Sequence, residues 1–104
     1  MVKLSYNPDG SFALGDYEAI IALHFELEQR KIPHEFSRLF DGWQICYPNK
    51  ESKIGDAIEH FGSWGAEEDL IEVWGFGLDD PKGWLTMEEA LDYFDSWNRE
   101  GKKE

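Results

Sequence analysis

Several residue groups in this chain have types and spacings that could do chemistry, and the carboxylates come first. Between Asp56 and Asp95 twelve Asp and Glu residues stand against one basic residue, Lys82. The rest of the chain is close to balanced, so this stretch holds nearly all of the net charge of −12. A one-signed field repels nucleic acid and attracts basic protein surfaces. Calcium is the obvious competing use of acids. A calcium loop needs alternating acids, a Gly at its sixth position and a bidentate acid at its twelfth. With Gly83 at the sixth, Glu89 falls at the twelfth and Asp80 at the third. Leu78 and Lys82 then occupy the first and fifth. Leu cannot ligate and Lys repels the ion, so the loop fails. Thr86 and Glu89 are explained without metal as the two ends of a capping box.

Histidine and cysteine offer less. His24 falls near the centre of an apolar helical stripe with Glu28 one turn further on. Such a pair could act as a general base or supply two metal ligands. The plainer reading is a histidine at the core edge held by a carboxylate. His60 follows Glu59 in a strand, so the two point to opposite faces. His34 sits beside Pro33 in a loop. Three scattered histidines and one cysteine give no zinc spacing, and no metal or cofactor is expected. Cys46 has no local histidine to depress its pKa and reads as a small strand residue.

Trp43, Trp64, Trp74 and Trp84 each adjoin a glycine. Exposed tryptophans beside glycines can form stacking platforms for bases or sugars. Single-strand binding also needs a basic groove, which this charge excludes. We expect four of the five tryptophans in the core and Trp64 exposed, because Gly62-Ser63-Trp64-Gly65 reads as a loop tip. Arg38, among Phe36, Phe40, Trp43 and Tyr47, is placed to stack on Trp43 or Tyr47. No Gly-rich phosphate loop and no Gly-x-Ser-x-Gly elbow is present.

These residues need elements to hold them. Asn7-Pro8-Asp9-Gly10 is a turn signal, and a short hairpin over 2–14 can form around it. Asp16 suits an N-cap for a helix over 16–31 whose apolar residues are Tyr17, Ile20, Ile21, Leu23 and Leu27, stopped by Pro33. Strands follow at 35–40 and 43–48 around Asp41-Gly42, a dipeptide suited to a type I′ turn. That turn would set Phe40 across from Trp43, Arg38 from Ile45 and Phe36 from Tyr47, with this aromatic face against the first helix. Further strands are predicted at 54–61 and 70–76, then a loop over 77–83. A last helix over 86–98 buries Ala90, Leu91, Phe94 and Trp97. The fold class is therefore α+β, one antiparallel sheet of three or four strands flanked by an N-terminal and a C-terminal helix.

A length of 104 residues fits one domain with one core. At 41% hydrophobic and 31% charged, the chain is globular rather than disordered. One cysteine excludes an internal disulfide framework and fits a reducing cytoplasm. The start lacks the long apolar run of a signal peptide, and no stretch approaches the roughly 20 apolar residues of a membrane span.

The segments 58–65 (Ile-Glu-His-Phe-Gly-Ser-Trp-Gly), 70–75 (Leu-Ile-Glu-Val-Trp-Gly) and 83–90 (Gly-Trp-Leu-Thr-Met-Glu-Glu-Ala) resemble a family of small uncharacterised proteins of phages and prophages of low-GC Gram-positive bacteria. That pattern reads His-x-Gly-Ser-aromatic-Gly, then Leu-x-Glu-Ile-x-Gly, then Gly-x-Leu-Thr-x-Glu-Glu. Val73-Trp74 departs from its smaller dipeptide. The resemblance implies an accessory phage protein working in a bacterial cytoplasm, and it carries no catalytic residue.

Two expectations follow. One is a non-enzymatic protein that docks on the basic surface of a host or phage protein, in its sharpest form inhibiting a nucleic-acid-handling defence enzyme by imitating DNA. Trp64, Glu67, Glu68, Asp69, Glu72, Asp79, Asp80, Glu88, Asp92 and Asp95 would make the contacts. The other is a small-ligand binder or sponge with a pocket between sheet and helices lined by His24, Trp64 and Trp74. An ordinary solvated acidic surface accounts for the charge without either. The two acidic clusters, Glu67–Glu72 and Glu88–Asp95, must meet in space for the first to hold.

Overall fold

Alternation along the central strands decides which side of the sheet is buried. In residues 17–101, which the computed structural model describes, helix α1 spans Glu18–Gln29. Strands β1 Glu35–Leu39, β2 Gly42–Tyr47 and β3 Gly55–Glu59 follow. A 3-10 turn, Ala66–Glu68, then leads to β4 Ile71–Gly75, β5 Lys82–Leu85 and helix α2 Met87–Gly101. The hairpin expected over 2–14 and the Asp16 cap lie outside the described residues. The sheet is an antiparallel meander in the order β1-β2-β3-β4-β5.

Ile45, Tyr47, Ala57, Ile71 and Val73 point to one face and are buried there with Ile20, Leu23 and Leu27 of α1 and Ala90, Leu91, Phe94 and Trp97 of α2. Both helical stripes are the ones their spacing predicts. The opposite face carries Gln44, Asp56, Ile58, Glu72 and Trp74. The pairs Gln44–Ile58, Asp56–Trp74 and Ile58–Glu72 stand directly across from each other. Thr86 and Glu89 form the expected capping box at the start of α2, with Glu89 N–H donating to Thr86 Oγ1 at 3.2 Å and Thr86 N–H to Glu89 Oε1 at 2.9 Å.

Two features differ from expectation. The sheet has five strands, because residues 82–85, expected partly as loop, pair with β4. A register irregularity between Ile71 and Val73 hides this strand from simple alternation. Second, the β1–β2 register is displaced by two residues: Arg38 stands across from Trp43 and Phe36 from Ile45. An even displacement keeps the same side chains on the same face. The turn is therefore Phe40-Asp41, with Phe40 at φ 56°. Gly42 is taken by a different demand. A Cβ there would lie 1.8 Å from the Glu59 carbonyl oxygen, so glycine serves the close approach of β3 rather than the turn. Tyr17 directly precedes α1 and makes no side-chain cap.

The end of α1 is a Schellman motif. Lys31 N–H donates to Glu28 C=O at 3.1 Å and Ile32 N–H to Leu27 C=O at 3.0 Å. Lys31 occupies the left-handed position at φ 58°. Buried Ile32 packs back over the helix, so the next residues return along it. At the far side of the sheet, Gly55 and Gly75 face each other across β3 and β4. Their missing side chains make a slot for the Trp97 indole, which a Cβ would meet at 2.3 and 2.8 Å. The indole N–H donates to Phe76 C=O at 3.0 Å.

Two substitutions should move stability in opposite directions in urea melts. Gly42→Ala forces a methyl into the β3 backbone and should cost about 3 kcal/mol or prevent folding. Lys31→Gly removes the left-handed penalty at the helix end and should add about 1 kcal/mol. A neutral Gly42→Ala, or a destabilising Lys31→Gly, would contradict these placements.

Candidate functional site

The first turn of α1 shows how this chain spends its acids. A helix leaves its first amides without intrahelical partners, and Tyr17, the residue before α1, makes no side-chain cap. Two distant carboxylates take that role. Asp69 Oδ1 accepts from Ala19 N–H at 3.1 Å, and Glu59 Oε1 accepts from Ile20 N–H at 3.2 Å. Asp41 adds a third anchor, accepting from the Tyr17 hydroxyl and, at 2.9 Å, from Phe61 N–H. Glu59 is fully buried. Among the described residues its Oε2 has no donor to accept from, and the Glu59 carboxyl interacts with that of Asp69. Two carboxylates can share such a contact through a proton on one of them. Burial, then the contact with Asp69 and its charge, push the Glu59 pKa from 4.5 up to about 10, against the lowering pull of the Ile20 amide.

The remaining predicted contact residues divide the same way. Glu72 points to the open sheet face and accepts from Trp64 N–H at 2.8 Å. Asp95 pairs with Arg99 at 2.8 Å. Glu67, Glu68, Asp79, Asp80, Glu88 and Asp92 are exposed, and their side chains make no hydrogen bond or ion pair with a described residue. Asp79 and Asp80 lie in the β4–β5 turn, at the far end of the sheet from the 3-10 turn. Glu67 and Glu68 lie in the 3-10 turn at the other end, and Glu88 lies in the first turn of α2, just after β5. There Ile71 stands across from Leu85, Trp84 N–H donates to Trp64 C=O at 3.2 Å, and Gly83 lies against the Trp64 Cβ. The two indoles stack with centroids 6.1 Å apart and planes 16° apart.

This end also corrects the expectation that four tryptophans are core. Trp64, Trp74 and Trp84 are 51%, 53% and 53% exposed, and Trp97 alone of the five is buried. Trp74 follows Val73, which takes the inward position, so it must face out. Trp74 and His24 therefore lie on opposite sides of the sheet and, with Trp64, do not line one pocket. Trp74 instead borders a shallow groove with Lys53, Ile54, Asp56 and Leu78. Cys46 is buried in β2, and burial raises its thiol pKa, with the Asp56 charge adding to it.

His24 belongs to a column of rings. It stacks on Phe36 at 4.1 Å and 7°, Phe36 stacks on Trp43 at 4.5 Å, and Arg38 lies 4.6 Å above the Trp43 ring. The Schellman turn brings His34 to the same place. His24 Nδ1 and His34 Nε2 are 2.9 Å apart, and His34 Nε2 is 3.4 Å from Glu28 Oε2. His34 Nδ1–H donates to Ile32 C=O at 2.8 Å. Burial, then the His34 charge, lower the His24 pKa, while Glu28 opposes them. Sequence spacing hid this cluster, because no glycine marks the turn that closes it.

No protein-family model, curated protein or solved structure matches the chain. No helix among the described residues is long and apolar enough to cross a membrane.

The buried cap carries a pH signature. Folded Glu59 keeps its proton between pH 4.5 and about 10, where the unfolded chain has lost it. The folded state binds more protons there, so this group's contribution falls as pH rises, by up to about 1.4 kcal/mol per unit. Glu59→Gln keeps the acceptor for Ile20 and offers Asp69 a permanent donor. Its stability relative to wild type should rise steadily as pH goes from about 5.5 to about 8.5. A difference that stays flat with pH in paired denaturation curves would refute the neutral buried carboxyl.

Proposed function

We propose that this chain is a non-enzymatic docking protein whose contact surface is the Trp64–Trp84 end, with Glu67, Glu68 and Glu88 as its charged rim. One observation carries the reading: two stacked, half-exposed indoles stand at the end of the sheet whose neighbouring turn and helix start carry acids with no side-chain bond among the described residues. Exposed tryptophan is the side chain best suited to anchor an interface, and unpaired acids around it favour a partner rich in Lys and Arg. A basic, nucleic-acid-binding surface on a host or phage protein fits that description. Occupying it would block the nucleic acid, which suits the accessory phage role implied by the resemblance. The field of −12 would speed encounter and make it salt-sensitive.

The rim is narrower than the full acidic stretch. Glu59, Asp69, Glu72 and Glu89 are committed to backbone amides. Asp79 and Asp80 sit at the distant turn, so the reading gives them long-range attraction rather than contact.

The test is affinity capture from a Gram-positive host lysate, followed by titration with the purified partner. Trp64→Ala with Trp84→Ala should weaken binding by at least about thirtyfold, as for a central aromatic anchor. Reversing Glu67, Glu68 and Glu88 to Lys should slow association and flatten its salt dependence. Reversing Asp79 and Asp80 should change association modestly. A partner indifferent to both the Trp and the Glu changes would defeat the proposal.

A further inference from the structure

We propose that His24, Glu28 and His34 form a binding site for a first-row divalent cation of the zinc type, at the C-terminal end of α1. The donor atoms of the three side chains all lie within 4.8 Å of one another. Two imidazole nitrogens and one carboxylate oxygen form a donor set that zinc accepts, with a fourth position left for water or a partner's side chain. Tetrahedral zinc with bonds of about 2.0–2.1 Å sets its donors roughly 3.3 Å apart. The separations of 2.9 Å between the imidazoles and 3.4 Å from His34 to Glu28 lie on either side of that value, and the wider spread of the set, up to 4.8 Å, has to close by rotation of the exposed Glu28 side chain.

Three features of the fold prepare the site. The i, i+4 spacing sets His24 and Glu28 on one face of α1. The Schellman turn returns His34 to them without help from a ligand. The bond from His34 Nδ1–H to Ile32 C=O selects the tautomer whose Nε2 lone pair points at the other two donors, the second-shell arrangement usual for ligating histidine. The Phe36 stack holds the His24 ring.

The same tautomer leaves an imbalance. His34 Nε2 can accept one proton's hydrogen bond, from His24 Nδ1–H. While His34 is neutral, Glu28 Oε2 faces it at 3.4 Å as a second acceptor, with no cationic side chain of a described residue bonded to either. A cation at the common point satisfies all three acceptors, with His24 giving up its Nδ1 proton and carrying one on Nε2. The His34 side chain is 3% exposed and that of Glu28 is 63% exposed, so the ion would be anchored from inside and reached from solvent. Lys31 borders the adjoining groove, but its exposed, flexible stem can keep the ammonium in water. The site lies at the opposite end of α1 from the Asp69 and Glu59 caps, and so apart from the tryptophan end.

The experiment is calorimetric titration of the chelator-stripped full chain with Zn2+, with Co2+ absorption as a coordination probe. We expect one saturable site per chain, visible bands of tetrahedral Co2+, and a rise in melting temperature with Zn2+. Glu28→Gln, an exposed change that keeps the helix, should weaken Zn2+ by at least about tenfold, and His34→Gln by more. Glu67→Gln with Glu68→Gln should leave the affinity unchanged. The proposal is overturned if no saturation occurs. It is equally overturned if Glu28→Gln binds as wild type does, or if the affinity follows Glu67 and Glu68 instead.

Discussion

The N-terminus of α1 is held by carboxylates that come from elsewhere in the chain, and the rest of the molecule is arranged around that fact. Glu59 ends β3 inside the core, and Asp69 ends the 3-10 turn before β4. Together they satisfy amides that the helix cannot satisfy itself. Leaving the buried Ile20 amide unmet would cost about 1–3 kcal/mol. A charged Glu59 there would cost more, so the proton is what makes the arrangement affordable. The neutral acid, the Asp69 carboxylate and the helix amides form one network that joins helix, sheet and loop.

That network sets the position of everything used at the surface. Anchoring the start of α1 on β3 fixes the direction of the helix, and with it where His24 and Glu28 emerge. Asp69 also pins the loop that carries Trp64. That loop leans on β5 through Gly83, while Glu72 holds the Trp64 amide from the open face. An acidic composition thus serves two purposes. One set of carboxylates caps α1 from distant parts of the chain, and another is left outward-facing on the surface.

Much of the fold was legible because it rests on local rules. The stripes Ile20, Leu23, Leu27 and Ala90, Leu91, Phe94, Trp97 carry helical spacing, and Thr86 and Glu89 form a cap within one turn. What failed depends on distance. Asp41-Gly42 looks like a turn, but Gly42 is required by a strand thirteen or more residues away, a steric demand with no local sign. Glu59 and Asp69 look like solvent-facing acids, since nothing nearby shows that α1 will arrive. The fifth strand is short and irregular in register. The His24–Glu28–His34 cluster needed a left-handed lysine to close, where sequence reasoning looks for glycine. The outward Trp74 follows from strand parity once the register is known, because Val73 claims the core and Trp74 cannot.

The protonation state of Glu59 is the point on which this account stands, and carbon-detected NMR of its side-chain carboxyl reads it directly. The account predicts a carboxyl resonance that holds its protonated position from about pH 5 past about pH 8 while the protein stays folded. A resonance that titrates near the ordinary value of 4.5 would contradict it.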